Sequence, residues 1–415
     1  MRPDKLRILF LITQDLESPS GLGRYWPLAK ELVVRGHQVR IAALHSNYSA
    51  LSERRILRDG VWIDYVAPMH VHKIGSKKMY YSSLRLILLS LRASWALLTA
   101  ATAAPVDIIQ VCKPHPMNGL AGLIAQKLRG GVLCVDCDDY EARSNRFGSG
   151  WQHRVVAYFE QHIPRLAQVV TTHTHYMRDK LFAWGISEER IHYISNGVDQ
   201  ARLTLPDPDI VSALREQLGL SDKRVLAYLG SMSLSSHPVD NLIAAFKLIL
   251  SRKSNAILLL VGGGEDIDVL KTFSQRLGVD GAVHFTGRVL PEEMPLYYAL
   301  AEVSVDPVYD DDPGRGRSPL KMFESWAIGV PFVTSPVGER RRLAGDPPAA
   351  WLAEPAGDTR ALAEAILRVL DDQVLAEALR QRGYELVKEY TWDRLAGQME
   401  MVYLDAMRAA HGRKR

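Results

Sequence analysis

Cysteine is scarce. Three cysteines in 415 residues exclude a disulfide framework and point to a reducing, cytoplasmic setting. Two of them, Cys134 and Cys137, have CxxC spacing, but they fall in the apolar run Val132–Cys137. That run reads as a strand, where residues i and i+3 face opposite sides, so two buried thiols are expected rather than a redox or metal pair. A secretory leader is not expected either, because the first apolar run, Ile8 to Ile12, stops at Thr13, Gln14 and Asp15. Long hydrophobic runs are missing too. Residues 80–104 are rich in Leu and Ala, but Arg85 and Arg92 interrupt them. The 14 uncharged residues left up to Val106 fall short of the roughly 20 that span a bilayer. A core helix is the expectation there. The alternative is a helix docked on a membrane surface, helped by Lys73, Lys77 and Lys78. No low-complexity tract or short-period repeat occurs.

Metal and nucleic-acid signatures are also lacking. The HxH pairs His70/His72 and His173/His175 come without a third ligand in a recognisable motif, so no metal is expected. No aromatic-interleaved basic stripe is visible, so nucleic acid is not an expected partner.

What remains is an ordinary globular composition, 47% hydrophobic and 24% charged, over a length suited to two or three domains. The net charge of +4 hides an asymmetry. Residues 1–198 hold 25 Lys and Arg against 16 Asp and Glu, while the remainder hold 26 against 31. The basic first half suits an anionic partner, such as a lipid phosphate or an anionic membrane surface, or is simply a basic surface.

Apolar runs alternate with helical patterns. Leu6–Ile12, His37–Leu44, Val61–Val66, Asp107–Cys112, Val132–Cys137, Gln168–Thr172 and Arg190–Ile194 read as strands. The pattern restarts after Ser195-Asn196-Gly197-Val198-Asp199, with strands at Arg224–Leu229, Ala256–Val261, Ala282–Phe285, Val303–Val305 and Pro331–Thr334. This is the signature of βα units on parallel sheets, an α/β class with two doubly wound domains. The expected division is 1–198, 199–390, and a last helix in 391–415.

The most informative stretch is 303–338. A strand breaks into a loop of Asp, Gly and Arg, which feeds a helix beginning at Ser318. A helix start after a strand binds anions, because its first N–H groups lack partners. Arg315, Arg317 and Lys321 add positive charge suited to a diphosphate. Glu324, further along that helix, can accept two hydrogen bonds from a vicinal diol such as a ribose. Asp310, Asp311 and Asp312 read as a solvated charge run. In the first half, Lys113-Pro114-His115-Pro116 and Cys137-Asp138-Asp139-Tyr140-Glu141 each follow a strand, where α/β sheets place ligands. Asp138 and Asp139 could contact a ligand there, or could cap the next helix. His115 is a weaker candidate. Gly21-Leu22-Gly23-Arg24 follows the first strand. It is not GxGxxG, so a nicotinamide site is disfavoured, and alone it could be an ordinary turn.

In order, these stretches resemble retaining glycosyltransferases of family 4 (the group 1 glycosyltransferases). Further matches are Ser195–Asp199, the run from Leu229-Gly230 to Leu242-Ile243, Phe285-Thr286-Gly287-Arg288-Val289, and Tyr390-Thr391-Trp392. The resemblance implies the GT-B fold, two Rossmann-like domains facing across a cleft. It also implies transfer of a sugar from a nucleoside diphosphate sugar to a cell-envelope, lipid-linked or polysaccharide acceptor. Gly21, Gly23 and Arg24 would face the donor phosphates, Gly230 would open the second-domain loop, and Arg288 and Val289 would receive the base largely through backbone. No metal or other cofactor is implied. The chain departs from the family where an Arg and a Lys usually hold the diphosphate, since Ser231 and His237 stand there. It departs again at Gly316, where a first glutamate is usual. Arg315, Arg317 and Lys321 are the expected replacements for the charge, and Ser318 is a further expected donor contact. The alternatives are a sugar-nucleotide epimerase of the same fold and a sugar-nucleotide-binding protein without catalysis.

Overall fold

The computed structural model describes residues 5–17, 21–74, 77–145 and 147–412, with residues 72–80 described in backbone only. The side chains of Lys73, Lys77 and Lys78, and of His72, lie outside the described residues. The chain divides into two compact units, one formed by residues 1–196 with 392–415, the other by residues 197–391.

The first unit is built on an eight-stranded sheet. Its order is Ile191–Tyr193, Val169–Thr172, Val132–Asp136, Ile108–Cys112, Arg7–Ile12, Gln38–His45, Val61–Pro68 and Arg55–Arg58. All neighbours run parallel except the last, which is antiparallel. The central strands are apolar on both faces because helices cover both sides, as parallel sheets require. Strand order reverses between Arg7–Ile12 and Ile108–Cys112. The crevice beyond the carboxyl ends of the strands at such a reversal is where open α/β sheets bind ligands.

The second unit repeats the plan with six parallel strands, in the order Val283–Gly287, Ala256–Val261, Arg224–Leu229, Val303–Asp306, Phe332–Thr334 and Trp351–Leu352. Its reversal lies between Arg224–Leu229 and Val303–Asp306. Val198 and Thr391 form an isolated parallel bridge where the chain enters and leaves this unit. The last helix, Trp392–Gly412, belongs to the first unit. There Trp392, Leu395, Met399 and Tyr403 pack with Ile8, Phe10 and Ile41.

The strands Arg55–Arg58 and Trp351–Leu352 are not among the runs that read as strands, and two further features differ from the sequence reading. The hairpin Val71–Ile74 with Lys77–Tyr80 falls where no strand pattern was legible. The Leu-rich segment does form a helix, Ser83–Thr102, but it is not a core helix. Only Ala93, Leu97 and Ala101 are buried. They are its small or single inward-facing residues, and most of its large side chains point away from the sheet.

Candidate functional site

In the second unit, three loops meet at the strand reversal. The first follows Arg224–Leu229. Gly230 has φ +153°, and a Cβ there would strike Lys321 Cε at 2.5 Å. The positive φ is what favours glycine here, and the lysine lies close against the bare backbone. The second follows Ala256–Val261, where a Cβ on Gly262 would meet the Gly230 carbonyl oxygen at 2.0 Å. The third follows Val303–Asp306.

Asp306 closes that strand and is buried. Its carboxylate accepts from Lys321 Nζ at 3.0 Å and from Arg340 Nη2 at 2.7 Å. Burial alone would raise the Asp306 pKa, but Lys321 and Arg340 outweigh it and hold the group well below the usual carboxylate range. Burial pushes the Lys321 ammonium below its ordinary value, Asp306 opposes this, and Arg317 and Arg340 add to it. Lys321 also sits over the Tyr228 ring, 5.1 Å from its centroid, and Tyr228 Oη donates to the Ser231 carbonyl at 2.7 Å. Arg317 Nη1 donates to the Ser236 carbonyl at 2.6 Å, which ties the third loop to the first. His237 lies in the same field. Burial, then Lys321 and Arg317, drive its pKa well below the ordinary value, which favours its neutral form. Ser318 is buried, and neither its Oγ nor Arg340 Nε has a hydrogen-bond partner among the described residues. The cations Arg317, Lys321 and Arg340 thus outnumber the carboxylates Asp306 and Glu324, the latter also in the field of Lys321, a balance suited to an anion.

Arg315 departs from expectation. Asp311 Oδ1 accepts from Gly314 N at 2.7 Å and caps a short helical turn, Asp312–Gly316. Arg315 projects outward from that turn and pairs with Asp310 at 2.7 Å on the surface. The charge comes instead from Arg340, whose Nη1 also lies 3.4 Å from the carbonyls of Gly314 and Arg317.

Glu324 lies one turn beyond Lys321 in the helix Leu320–Ala327. Its Oε2 accepts from Tyr298 Oη at 3.1 Å. Burial raises its pKa, and Arg202 opposes this. Arg288 lies against the glycine loop, since a Cβ on Gly263 would meet its Cγ at 2.7 Å. The Val289 side chain packs against the apolar cluster containing Leu229 and Tyr298.

In the first unit, Gly21 and Gly23 lie in one turn of π-helix, Gly21–Tyr25, where a Cβ on Gly21 would strike the Asp15 carbonyl oxygen at 2.6 Å. Arg24 was expected to face phosphates, but this turn directs it inward. It binds Asp136 through Nε and Nη2, both at 2.9 Å. Its Nη1 reaches the carbonyls of Ile194 and Ser195 and Asn196 Oδ1, at 3.1, 3.2 and 2.9 Å. Burial opposes its charge, but Asp136 outweighs burial and keeps it protonated. Arg24 is a buried pillar of the first unit.

The chemistry-bearing groups of this unit gather around Lys113, which follows the strand Ile108–Cys112 with φ +61°. Its Nζ lies 3.2 Å from Asp138 Oδ1, 3.1 Å from Asp139 Oδ2 and 2.5 Å from Glu141 Oε1. The same three carboxylates are close enough together to hold a cation, and the Lys113 ammonium already lies among them. His115 Nε2 is 3.3 Å from Glu141 Oε2. Burial lifts Asp138 to about 7, Lys113 opposes this, and Asp139 and Glu141 reinforce it. The helix cap considered for Asp138 belongs to Glu160, whose two oxygens accept from Glu141 N at 2.6 Å and Ala142 N at 3.1 Å. Burial pushes His173 down to about 4, helped by Arg24. His173 Nε2 is 4.0 Å from Asp139 Oδ1. Asp139 is the most exposed of the three carboxylates.

Comparison with known proteins converges on one group. Residues 223–372 match the family described as "Glycosyl transferases group 1", and residues 20–197 match "Glycosyl transferase 4-like domain". Over 234 residues the chain is 28% identical to the GDP-mannose-dependent alpha-(1-6)-phosphatidylinositol monomannoside mannosyltransferase of Mycobacterium tuberculosis. That match covers 56% of this chain and 60% of the relative, so the chain spans less than two thirds of that protein's length. The fold is similar to sucrose-phosphate synthase from Thermosynechococcus elongatus, with a TM-score of 0.78 at 20% identity, covering 97% of this chain and 100% of the other. It is also similar to Anabaena HepE in complex with UDP and glucose, with a TM-score of 0.71 at 19% identity, covering 95% and 98%. The chain is a GT-B protein of the group 1 glycosyltransferase family.

Proposed function

We propose that the protein transfers a sugar, a hexose or a relative of one, from a nucleoside diphosphate sugar to a lipid-linked or polysaccharide acceptor, with retention at the anomeric carbon. The observation that carries this reading is the group of three cations, Arg317, Lys321 and Arg340, around Asp306 at the glycine loop, with Glu324 one helical turn beyond Lys321. The cations and the loop N–H groups stabilise the departing diphosphate, the largest charge that develops in such a reaction. Glu324 accepts from the ribose hydroxyls. In the first unit, Asp139 and Asp138 accept from sugar hydroxyls and oppose positive charge at the anomeric carbon. No protein nucleophile is assigned.

A lipid-linked acceptor is supported by the Mycobacterium relative, whose name gives a phosphatidylinositol monomannoside as its substrate. It is further supported by the basic excess in the first half of the chain. Such an acceptor would place the protein at the inner face of a membrane, a setting that suits its three free cysteines.

The absence of the usual Arg, Lys and first Glu at Ser231, His237 and Gly316 favours a second reading, donor binding without transfer. A thermal-shift screen against UDP-, GDP-, ADP- and dTDP-sugars identifies the donor, because a ligand that binds only the folded state raises Tm. Transfer is then assayed with that donor and lipid-linked or glycan acceptors, and the anomeric configuration of the product is read by NMR. Binding with neither transfer nor donor hydrolysis supports the second reading. No binding of any sugar nucleotide overturns both.

A further inference from the structure

The helix Ser83–Thr102 carries a stripe that the fold leaves uncovered. Leu84, Leu88, Leu91 and Trp95 are 71%, 59%, 63% and 72% exposed. Their spacing of four, three and four residues places them on one face. The inward face is formed by Ala93, Leu97 and Ala101, which pack into the core of the first unit. The helix Pro116–Arg129, which packs beside it, also exposes Ile124 and Leu128. Isolated exposed leucines are ordinary, but four large apolar side chains on one helix face, beside a second helix that also exposes apolar residues, mark a binding surface.

The charge around the stripe selects the occupant. Between Tyr65 and Val135 the chain has, besides Lys113, which is committed to its buried carboxylates, seven Lys and Arg and one carboxylate, Asp107, and Asp107 is paired with Arg7 at 2.7 Å. The two helices contain no Asp or Glu. Arg85 and Arg92 each follow a stripe residue by one position, so they border the stripe about a quarter-turn around the helix. Lys127 and Arg129 stand beside Leu128, and all four cations are exposed. An apolar stripe edged by cations alone matches an anionic lipid surface, with side chains entering the acyl boundary and cations meeting the headgroups. The helix is long and apolar enough to cross a membrane. Its inward face is packed against the sheet, however, so it can lie on a bilayer but not traverse one while the unit is folded.

We propose that the stripe Leu84–Leu88–Leu91–Trp95, extended by Ile124 and Leu128, docks the first unit onto an anionic bilayer with the helix Ser83–Thr102 parallel to its plane.

The test is co-sedimentation of the full chain with phosphatidylcholine vesicles, with and without phosphatidylglycerol, at low and high salt. Vesicle binding needs no donor, so it is read independently of transfer. The wild type should bind the phosphatidylglycerol vesicles, and salt should weaken binding. The variant Leu88→Asp/Leu91→Asp should bind at least about tenfold more weakly with an unchanged Tm, because neither side chain is buried. Arg85→Gln/Arg92→Gln should lose the preference for anionic lipid. Tryptophan emission should shift to the blue on binding, and Trp95→Phe should remove most of that shift. Absence of wild-type binding at low salt overturns the proposal, as does full binding by the double Asp variant or an undiminished shift in Trp95→Phe. A wild-type dimer that ignores vesicles and that the double Asp variant dissociates also overturns it, and assigns the stripe to a second copy of the chain.

Discussion

Arg340 and Asp306 form a buried ion pair, with Nη2 2.7 Å from Oδ2 and both side chains almost wholly inaccessible. Lys321 completes a triad from the other carboxylate oxygen at 3.0 Å. Replacing Asp306 with Asn leaves two buried cations facing each other. The expected cost is about 3–5 kcal/mol, the range for breaking a buried pair on one side. A shift in the urea-unfolding midpoint measures it. An unchanged midpoint would mean that solvent already screens the triad.

Arg317 and Lys321 should behave differently from each other. Arg317 is only partly buried and its described hydrogen bond goes to a carbonyl. Arg317→Ala should therefore keep Tm and weaken donor binding by about 1.5–3 kcal/mol, the range for a charged hydrogen bond. Lys321→Ala should lower both affinity and Tm, because it deprives Asp306 of a cation. Calorimetry with the identified donor, paired with a melting curve, separates the two. Equal behaviour would refute the division of roles.

Glu324→Gln keeps the shape and an acceptor for Tyr298 Oη but removes the charge. Donor affinity should fall by about 1.5–3 kcal/mol. The loss should be smaller for a donor analogue lacking the ribose 2′-hydroxyl. Unchanged affinity in calorimetry rules out the ribose contact.

Asp138, lifted to about 7 by burial, is ionised only above that pH. If its carboxylate serves the reaction, kcat/KM should rise with pH through about 7, and Asp138→Asn should flatten the rise. A rise of the same midpoint in Asp138→Asn would assign it to another group.

His173 carries a stability signature of opposite sense to that of a salt-bridged histidine. Its folded pKa is about 4, below the ordinary 6.5. Between these values the unfolded chain binds the extra proton, so stability is full above pH 6.5 and is lost as pH falls toward 4. His173→Gln should reduce the difference in unfolding free energy between pH 7 and pH 4 by about 3 kcal/mol. An acid limb that stays as steep in the variant would show that other groups set it.

Most of the architecture was legible because strands buried on both faces leave continuous apolar runs, such as Leu6–Ile12 and Ala256–Val261. Lys321 and Glu324 could be picked out because they follow a strand and a glycine-rich loop. Arg340 could not, since Glu339-Arg340-Arg341-Arg342 reads as one solvated charge run. Only the turn at Gly338, with φ +56°, directs Arg340 inward while Arg341 pairs with Glu354 at the surface. Arg24 failed in the opposite sense, because local spacing cannot show that Asp136, 112 residues away, claims its guanidinium. Lys113 was visible as a residue after a strand, but its position among three carboxylates depends on a backbone conformation that lysine rarely adopts. The helix Ser83–Thr102 misled because composition reports how apolar a segment is and not which way it faces.

The return of Trp392–Gly412 to the first unit sets an order of events on the ribosome. Trp392, Leu395, Met399 and Tyr403 fill the same core as Ile8, Phe10 and Ile41. That core therefore cannot close until nearly all of the described chain has emerged. The second unit, residues 197–391, is by contrast one uninterrupted stretch and can fold as soon as it clears the exit tunnel. The part synthesised first is thus completed last. In the interval Ile8, Phe10 and Ile41 lack the apolar partners that the final helix supplies, so exposed apolar surface during synthesis is expected of the first unit rather than of the second.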